Sequence, residues 1–170
     1  MIKNFPQNRK DNCFLMNQPP KRSKFNPKRE ILECTPNDIP FLEDLYGKVS
    51  YTGNPQHKKN PGDFGLTPPS DPRAMKSLCD EVSVFTRSQA LCLLKIGIER
   101  GLVSVQKTTN GFPKNIWSVI KLEDGKEVPL EAQIENPHAG TYHGYPLPMT
   151  DPMHEKVLEK WRASKCLISK

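Results

Sequence analysis

Carboxylate, histidine and tyrosine side chains are concentrated in one part of this 170-residue chain, between residues 131 and 154. Glu131 lies in an alternating strand pattern, and Tyr142 and Tyr145 flank His143 a short distance downstream. Cleavage of RNA without metal needs a base for the 2′-hydroxyl, an acid for the leaving oxygen and cationic donors for the phosphate. We therefore interpret His143 and Glu131 as an acid–base pair and Tyr142 as a donor that orients them. Glu131, Tyr142 and His143 are the candidate catalytic residues.

A second unusual segment, residues 53–73, contains five prolines and three glycines, which exclude a long helix or a central strand. A loop of about twenty residues without secondary structure is usually functional or disordered. Its imidazole and basic side chains predict a phosphate clamp, and the candidate substrate-binding residues are His57, Lys58, Lys59 and Arg73. The glycine spacing matches neither a dinucleotide-binding fingerprint nor a P-loop. The clamp requires this segment to fold over the same sheet face as residues 131–145.

The segment after the alternating strand also has a non-catalytic interpretation. Residues 137–148 combine glycine, proline, histidine and tyrosine, a composition typical of a rigid, aromatic-rich loop that anchors a protein partner. The candidate partner-binding residues are then Tyr142, Tyr145 and Pro146, in an adaptor of a bacterial or phage assembly. In this interpretation Glu131 is an ordinary strand residue that faces solvent.

Metal binding is a third chemistry that the residue types suggest. The side chains that would have to meet are His138, His143, His154 and Asp151, but their spacing differs from the short pairs typical of zinc sites. The five cysteines include no Cys-x-x-Cys pair, so neither a zinc site nor a disulfide framework is indicated. We therefore expect no metal and no cofactor.

The amino-terminal residues carry a charge surplus equal to that of the whole chain. Residues 1–30 contain eight basic and two acidic side chains, a surplus of +6, and the complete chain is also +6. Residues 31–170 are therefore formally neutral. Because residues 1–34 also mix proline and asparagine with isolated apolar residues, we predict a flexible basic arm. We expect this arm to bind nucleic acid, with RNA favoured. The alternative interpretation is that the arm is only a solvated tail.

The distribution of apolar residues along the sequence predicts where in the cell the protein is found. The start of the chain has charges and prolines where a signal peptide needs an apolar run. No segment approaches the roughly 20 apolar residues that span a bilayer. Together with the scattered cysteines, these features predict a cytoplasmic protein that does not contact a membrane.

A hairpin and two or three helices are predicted to position these side chains. Residues 116–120 and 128–135 have the pattern of paired strands, and the second alternates between apolar and polar residues, which predicts one buried and one solvent-facing side. A capping box at Thr86 begins the best-defined helix. Shorter helices are predicted to begin near Thr35 and Asp151.

These elements predict an α+β fold in one domain over residues 35–170, a small antiparallel sheet with its central hairpin near 116–135, packed by two or three helices. We expect one common core formed by Leu91, Leu94, Ile98, Val128, Leu130, Ile134, Val157 and Trp161. The helix after Thr86, followed by a short strand and the hairpin, resembles the end of a winged-helix domain, which would imply a recognition helix. That helix offers few basic residues, and no preceding helix of the required kind is evident.

The combined features favour a small nucleic-acid-associated protein that acts as a metal-independent ribonuclease. The recipe of a sheet-and-helix body with scattered histidine, glutamate, tyrosine and basic residues is similar to that of small bacterial ribonuclease toxins. The alternative is a non-catalytic adaptor that docks through residues 137–148. The residue types alone leave open whether the protein is an enzyme.

Overall fold

The computed structural model describes residues 26–57, 64, 67 and 78–168. This part of the chain contains three α-helices and four strands. In chain order they are α1 (Ile39–Lys48), β1 (Ser50–Tyr51), α2 (Arg87–Glu99), β2 (Asn115–Lys121), β3 (Glu127–Asn136), β4 (Thr141–Pro146) and α3 (Met153–Ala163). Short 3-10 helices are formed by Pro27–Arg29, Pro36–Asp38, Pro55–His57 and Cys79–Val82.

The strands form one mixed sheet in the order β1-β4-β3-β2. β2, β3 and β4 pair antiparallel, whereas β1 pairs parallel to β4 through Ser50 and Tyr51. The central hairpin is the predicted one, and its turn contains Gly125 at a φ of 83°, which glycine adopts without strain. The predicted α+β fold is confirmed, with a parallel edge strand added to the antiparallel sheet.

The helix boundaries follow from local capping. The Thr86 hydroxyl accepts a hydrogen bond from the Gln89 backbone N–H at 3.1 Å, and the Gln89 side chain accepts one from the Thr86 N–H at 2.9 Å. This reciprocal pair is the predicted capping box of α2. α1 begins after a 3-10 turn, because Asp38 accepts from the Thr35 N–H and holds Pro36–Asp38 in the tighter geometry. No helix among the residues that the structure describes is long and apolar enough to cross a bilayer.

Helices cover both faces of the sheet. α1 and α2 pack on one face, around Ile116, Ala132 and Tyr142. α3 packs on the opposite face, around Trp117 and Val119. The prediction of one buried and one solvent-facing side is therefore wrong, because the polar side of β3 lies in the layer that α3 covers. The hairpin forms one side of the covered sheet, with β2 at the edge and helices against both of its faces, and does not project as a wing.

The apolar residues consequently form two cores, and the expected single core is wrong. Leu94 and Ile98 of α2 pack with Leu130 of β3 in the first core. Val157 and Trp161 of α3 belong to the second, across the sheet. Each helix is amphipathic as predicted, but a sheet with two apolar layers separates their buried faces.

Residues 26–34, which composition assigned to the basic arm, pack against the body. The Leu32 N–H donates to the Val103 carbonyl at 2.8 Å, and the Val105 N–H donates to the Glu30 carbonyl at 2.9 Å. Ile31 forms an isolated bridge with Ser104. Residues 102–106 are therefore held by single bridges and do not form the regular strand that their sequence suggests. The remainder of the predicted arm, residues 1–25, lies outside the described residues.

The segment interpreted as a docking loop, residues 137–148, contains a strand instead. Residues 137–140 form a turn, and β4 then runs between β1 and β3. Gly140 in this turn has a φ of 63°, and a Cβ there would lie 2.5 Å from the Phe112 ring. Glycine thus allows the chain to reverse tightly against Phe112 and enter the sheet.

Candidate functional site

Glu131 lies in the middle of β3 on the face covered by α3, and its side chain is fully buried. Its Oε2 atom accepts hydrogen bonds from Arg29 Nε at 3.0 Å and Trp117 Nε1 at 3.0 Å, and Arg29 Nη2 also contacts it. The predicted solvent-facing position of Glu131 is therefore wrong. A buried carboxylate is stable only when it is paired and hydrogen-bonded, and the guanidinium and indole groups meet that need.

The second oxygen of Glu131 is equally occupied. Oε1 accepts from Asn115 Nδ2 at 2.9 Å, Gln133 Nε2 at 3.0 Å and the Tyr145 hydroxyl at 3.1 Å. A carboxylate offers roughly four lone-pair directions, and all of them are used here. Glu131 is thus a saturated buried anion, which does not suit the predicted role of acid or base.

Arg29 connects three parts of the fold at this point. Besides Glu131, its Nη1 atom donates to both carboxylate oxygens of Asp151, at 3.0 and 3.1 Å. Asp151 Oδ1 also accepts from the Met153 N–H at 2.9 Å, which caps the start of α3. Burial acts to lower the pKa of Arg29, but the charges of Glu131 and Asp151 and their hydrogen bonds outweigh it and raise the pKa above its ordinary value.

Three aromatic rings lie beside Glu131 on the same sheet face. His143 and Tyr145 lie two residues apart on β4, so their side chains are on the same face. They pair in register with Gln133 and Glu131 of β3. The His57 ring stacks on the Tyr145 ring at 4.8 Å between centroids and 17° between planes. It lies 6.3 Å from the His143 ring at 18°. The described beginning of the 53–73 segment thus meets the 131–145 region.

The His143 side chain is 13% exposed and touches a carboxylate. Its Nδ1 atom contacts an oxygen of Glu135, which is about half exposed, two residues beyond Gln133 on β3. Nδ1 is buried and forms no hydrogen bond of good geometry within the part of the chain that the structure describes. The contact is therefore electrostatic, a carboxylate next to an imidazole nitrogen.

Tyr142 points away from this cluster. Its side chain is fully buried on the face covered by α1 and α2, and its hydroxyl donates to the Pro113 carbonyl at 2.7 Å. Burial raises the pKa of Tyr142 above its ordinary value. The interpretation of Tyr142 as a donor that orients His143 is incompatible with this placement, because the sheet lies between the two side chains. Burial of Tyr142 and Pro146 likewise removes them from an exposed docking surface.

The remaining sequence candidates are dispersed or undescribed. Lys58, Lys59 and Arg73 lie outside the described residues. His138 is exposed in the turn before β4, and its Nδ1 lies 3.1 Å from Asn110 Nδ2. Among the described residues, no three His, Cys, Asp or Glu side chains are grouped closely enough to hold a metal ion.

Sequence reasoning missed the partners of Glu131, above all Arg29, which was counted as one of eight arm charges. Trp117 lies in the predicted hairpin and Asn115 directly before it, but neither was linked to Glu131. A signal for them existed in the sequence. A glutamate at the centre of a strand needs polar partners if the opposite sheet face is also covered. The helix from Asp151, which would need a surface to pack on, was the indication that both faces are covered.

Comparisons with protein-family models, curated proteins and solved structures find no match to this chain.

Proposed function

We propose that this protein is a metal-independent ribonuclease in which His57 and His143 form the acid–base pair. The observation that carries the proposal is the placement of two imidazole rings 6.3 Å apart on one sheet face, with the Glu135 carboxylate against one of them. Histidine titrates near neutral pH and can therefore act as a base in one step and an acid in the next. His57 replaces the saturated Glu131 as the complement of His143.

The reaction that suits such a pair is transesterification within RNA. One histidine removes the proton of the 2′-hydroxyl, whose oxygen attacks the adjacent phosphorus. The P–O5′ bond breaks, and the other histidine protonates the departing O5′. The products are a 2′,3′-cyclic phosphate and a 5′-hydroxyl end, and no metal is needed to balance the step. We assign the base role to His143, because the Glu135 carboxylate contacts its Nδ1 atom and can orient the ring toward the substrate.

Substrate capture is assigned to the basic residues. Lys58 and Lys59 directly follow His57 in the sequence, and with Arg73 they remain the predicted phosphate-binding residues. The surplus of basic side chains in residues 1–25 would bind the RNA backbone without regard to sequence. The same description excludes DNA as a cleaved substrate, because DNA lacks the 2′-hydroxyl nucleophile.

Cleavage of a single-stranded RNA in the presence of EDTA tests this function. We expect His57→Ala and His143→Ala each to lower the rate by about 10²–10⁴-fold, as is typical for loss of a general acid or base. His138→Ala is the matched control, because this histidine lies in the exposed turn before β4. Cleaved RNA should end in a cyclic phosphate, and a DNA of the same sequence should stay intact.

Two outcomes would refute the ribonuclease assignment. One is a wild-type protein that leaves RNA uncleaved, and the other is equal loss of activity in His138→Ala. The first outcome would return the protein to a nucleic-acid-binding or adaptor role without catalysis. The structure gives the adaptor role little support, because the proposed docking loop contains β4, a strand inside the sheet.

A further inference from the structure

The Tyr145 hydroxyl is held from two sides. It donates to Glu131 Oε1 at 3.1 Å and accepts from Gln133 Nε2 at 2.8 Å. Both partners belong to β3, the strand next to β4, so the two hydrogen bonds and the backbone together fix the plane of the Tyr145 ring.

Glu131 is itself immobilised. Arg29 and Trp117 hold one of its oxygens, Asn115 holds the other, and Arg29 is anchored in turn on Asp151. All of these side chains are buried. Interiors of this kind transmit a displacement instead of absorbing it, because side chains are close-packed. The Tyr145 hydroxyl is therefore attached to a carboxylate that buried neighbours hold in place.

His57, by contrast, does not belong to the sheet. It ends the short 3-10 turn Pro55–His57, and its ring is stacked on Tyr145 at 4.8 Å. His143 is fixed by the backbone of β4. The Tyr145 ring therefore helps to set the separation of the two imidazoles.

We propose that Glu131 and Tyr145 are positioning residues: the buried carboxylate fixes the Tyr145 ring, and the ring sets His57 at its working distance from His143. This inference rests on the proposed ribonuclease function. It gives Glu131 a part in the reaction without making it an acid or a base. It also explains why a tyrosine and not a phenylalanine lies beneath His57.

The test compares Tyr145→Phe with Tyr142→Phe. Each variant deletes one tyrosine hydroxyl of β4, but only the first releases the ring under His57, because the Tyr142 side chain lies on the opposite sheet face and donates to Pro113. We expect Tyr145→Phe to lower kcat by about tenfold to a hundredfold while KM stays within about twofold, because a misplaced catalytic group costs rate and not binding. Tyr142→Phe should keep the wild-type kcat. If Tyr142→Phe does not fold, Tyr46→Phe in α1 takes its place.

A second readout does not require activity. The Tyr145 ring current shifts the proton NMR resonance of the His57 Cε1–H, so Tyr145→Phe should move this resonance and Tyr142→Phe should leave it in place. Equal kcat losses and equal resonance positions in the two variants would overturn the positioning role. A wild-type protein without ribonuclease activity would refute the proposed function alone, and the NMR comparison would still decide whether Glu131 and Tyr145 position His57.

Discussion

At the scale of single residues, the role of a polar side chain in this protein depends on whether a helix covers it. Glu131 has the same spacing as Glu127 and Glu135 along β3, yet it is fully buried and Glu135 is exposed. The difference arises because α3 covers the middle of the strand and leaves its end open. An uncompensated buried carboxylate would be unstable, so the same glutamate pattern yields a buried, ion-paired anchor at one position and an exposed carboxylate beside His143 at another.

Two buried tyrosines give the stability of this protein a defined dependence on pH. Burial raises the pKa of Tyr51 and of Tyr142 above the ordinary value of 10.0. In the unfolded chain both lose their protons near pH 10, while in the fold they keep them. The unfolded state then binds fewer protons, so the contribution of these two tyrosines to stability should be constant below about pH 10 and fall as the pH rises further.

Denaturant unfolding at several alkaline pH values checks this dependence. Each buried tyrosine should contribute a decline of about 1.4 kcal/mol per pH unit above its ordinary pKa. Tyr142→Phe should reduce the slope by one such share, and Tyr51→Phe should do the same. Slopes identical to that of the wild type in both variants would mean that these hydroxyls titrate in the folded protein as they do in water.

At the scale of elements, α2 packs tightly on β2 at Gly97. A Cβ added at Gly97 would lie 2.1 Å from the Trp117 carbonyl oxygen, which is backbone and cannot move aside easily. Gly97 therefore permits the helix to touch the strand that carries Trp117, one of the residues that hold Glu131. This contact sets the distance between α2 and the sheet in the first core.

Gly97→Ala should destabilise the protein by about 1–3 kcal/mol, the usual range for overpacking a tight interior. Gly47→Ala provides the matched control, since Gly47 is exposed in α1 and an added Cβ meets nothing within 4 Å. Helix propensity favours alanine there, so this variant should be neutral or more stable by about 0.5–1 kcal/mol. Denaturant midpoints measure both, and equal effects would show that the α2–β2 contact can relax.

The elements were predictable where their signals are local. The capping box at Thr86 depends on residues three positions apart, and it was found from the sequence. The strand β4 was missed because its glycines and prolines resemble a loop, and it becomes a strand only between two neighbours. Its Gly144 N–H donates to the Tyr51 hydroxyl at 2.7 Å, a contact that joins residues 93 positions apart. Burial of Glu131 was missed for the same reason, since Arg29 lies 102 positions away.

At the scale of the whole molecule, Arg29 divides the basic amino terminus into two parts with different roles. Of the eight basic residues before position 31, Arg29 is buried between Glu131 and Asp151 and is neutralised by them. Six others lie in residues 1–25, and from the composition of this segment we expect them to bind a negatively charged partner. The segment from Asn26 therefore belongs to the folded body, and the surplus that predicts nucleic-acid binding lies before it.

Two truncations separate these roles. Deletion of residues 1–25 removes six basic side chains and one acidic one, so binding to RNA should weaken and lose most of its salt dependence, because fewer counterions are released. Its stability should match that of the full chain. Deletion of residues 1–34 also removes Arg29 and leaves Glu131 and Asp151 buried without their cation, which should cost about 3–5 kcal/mol. Salt titrations of RNA binding and denaturant unfolding measure the two effects.

Unchanged salt dependence after the shorter deletion would move RNA binding to the body, where His57, His143 and the residues after His57 would have to supply it. Unchanged stability after the longer deletion would mean that the buried carboxylates find other partners, and Glu131 could then no longer serve as the rigid support of Tyr145.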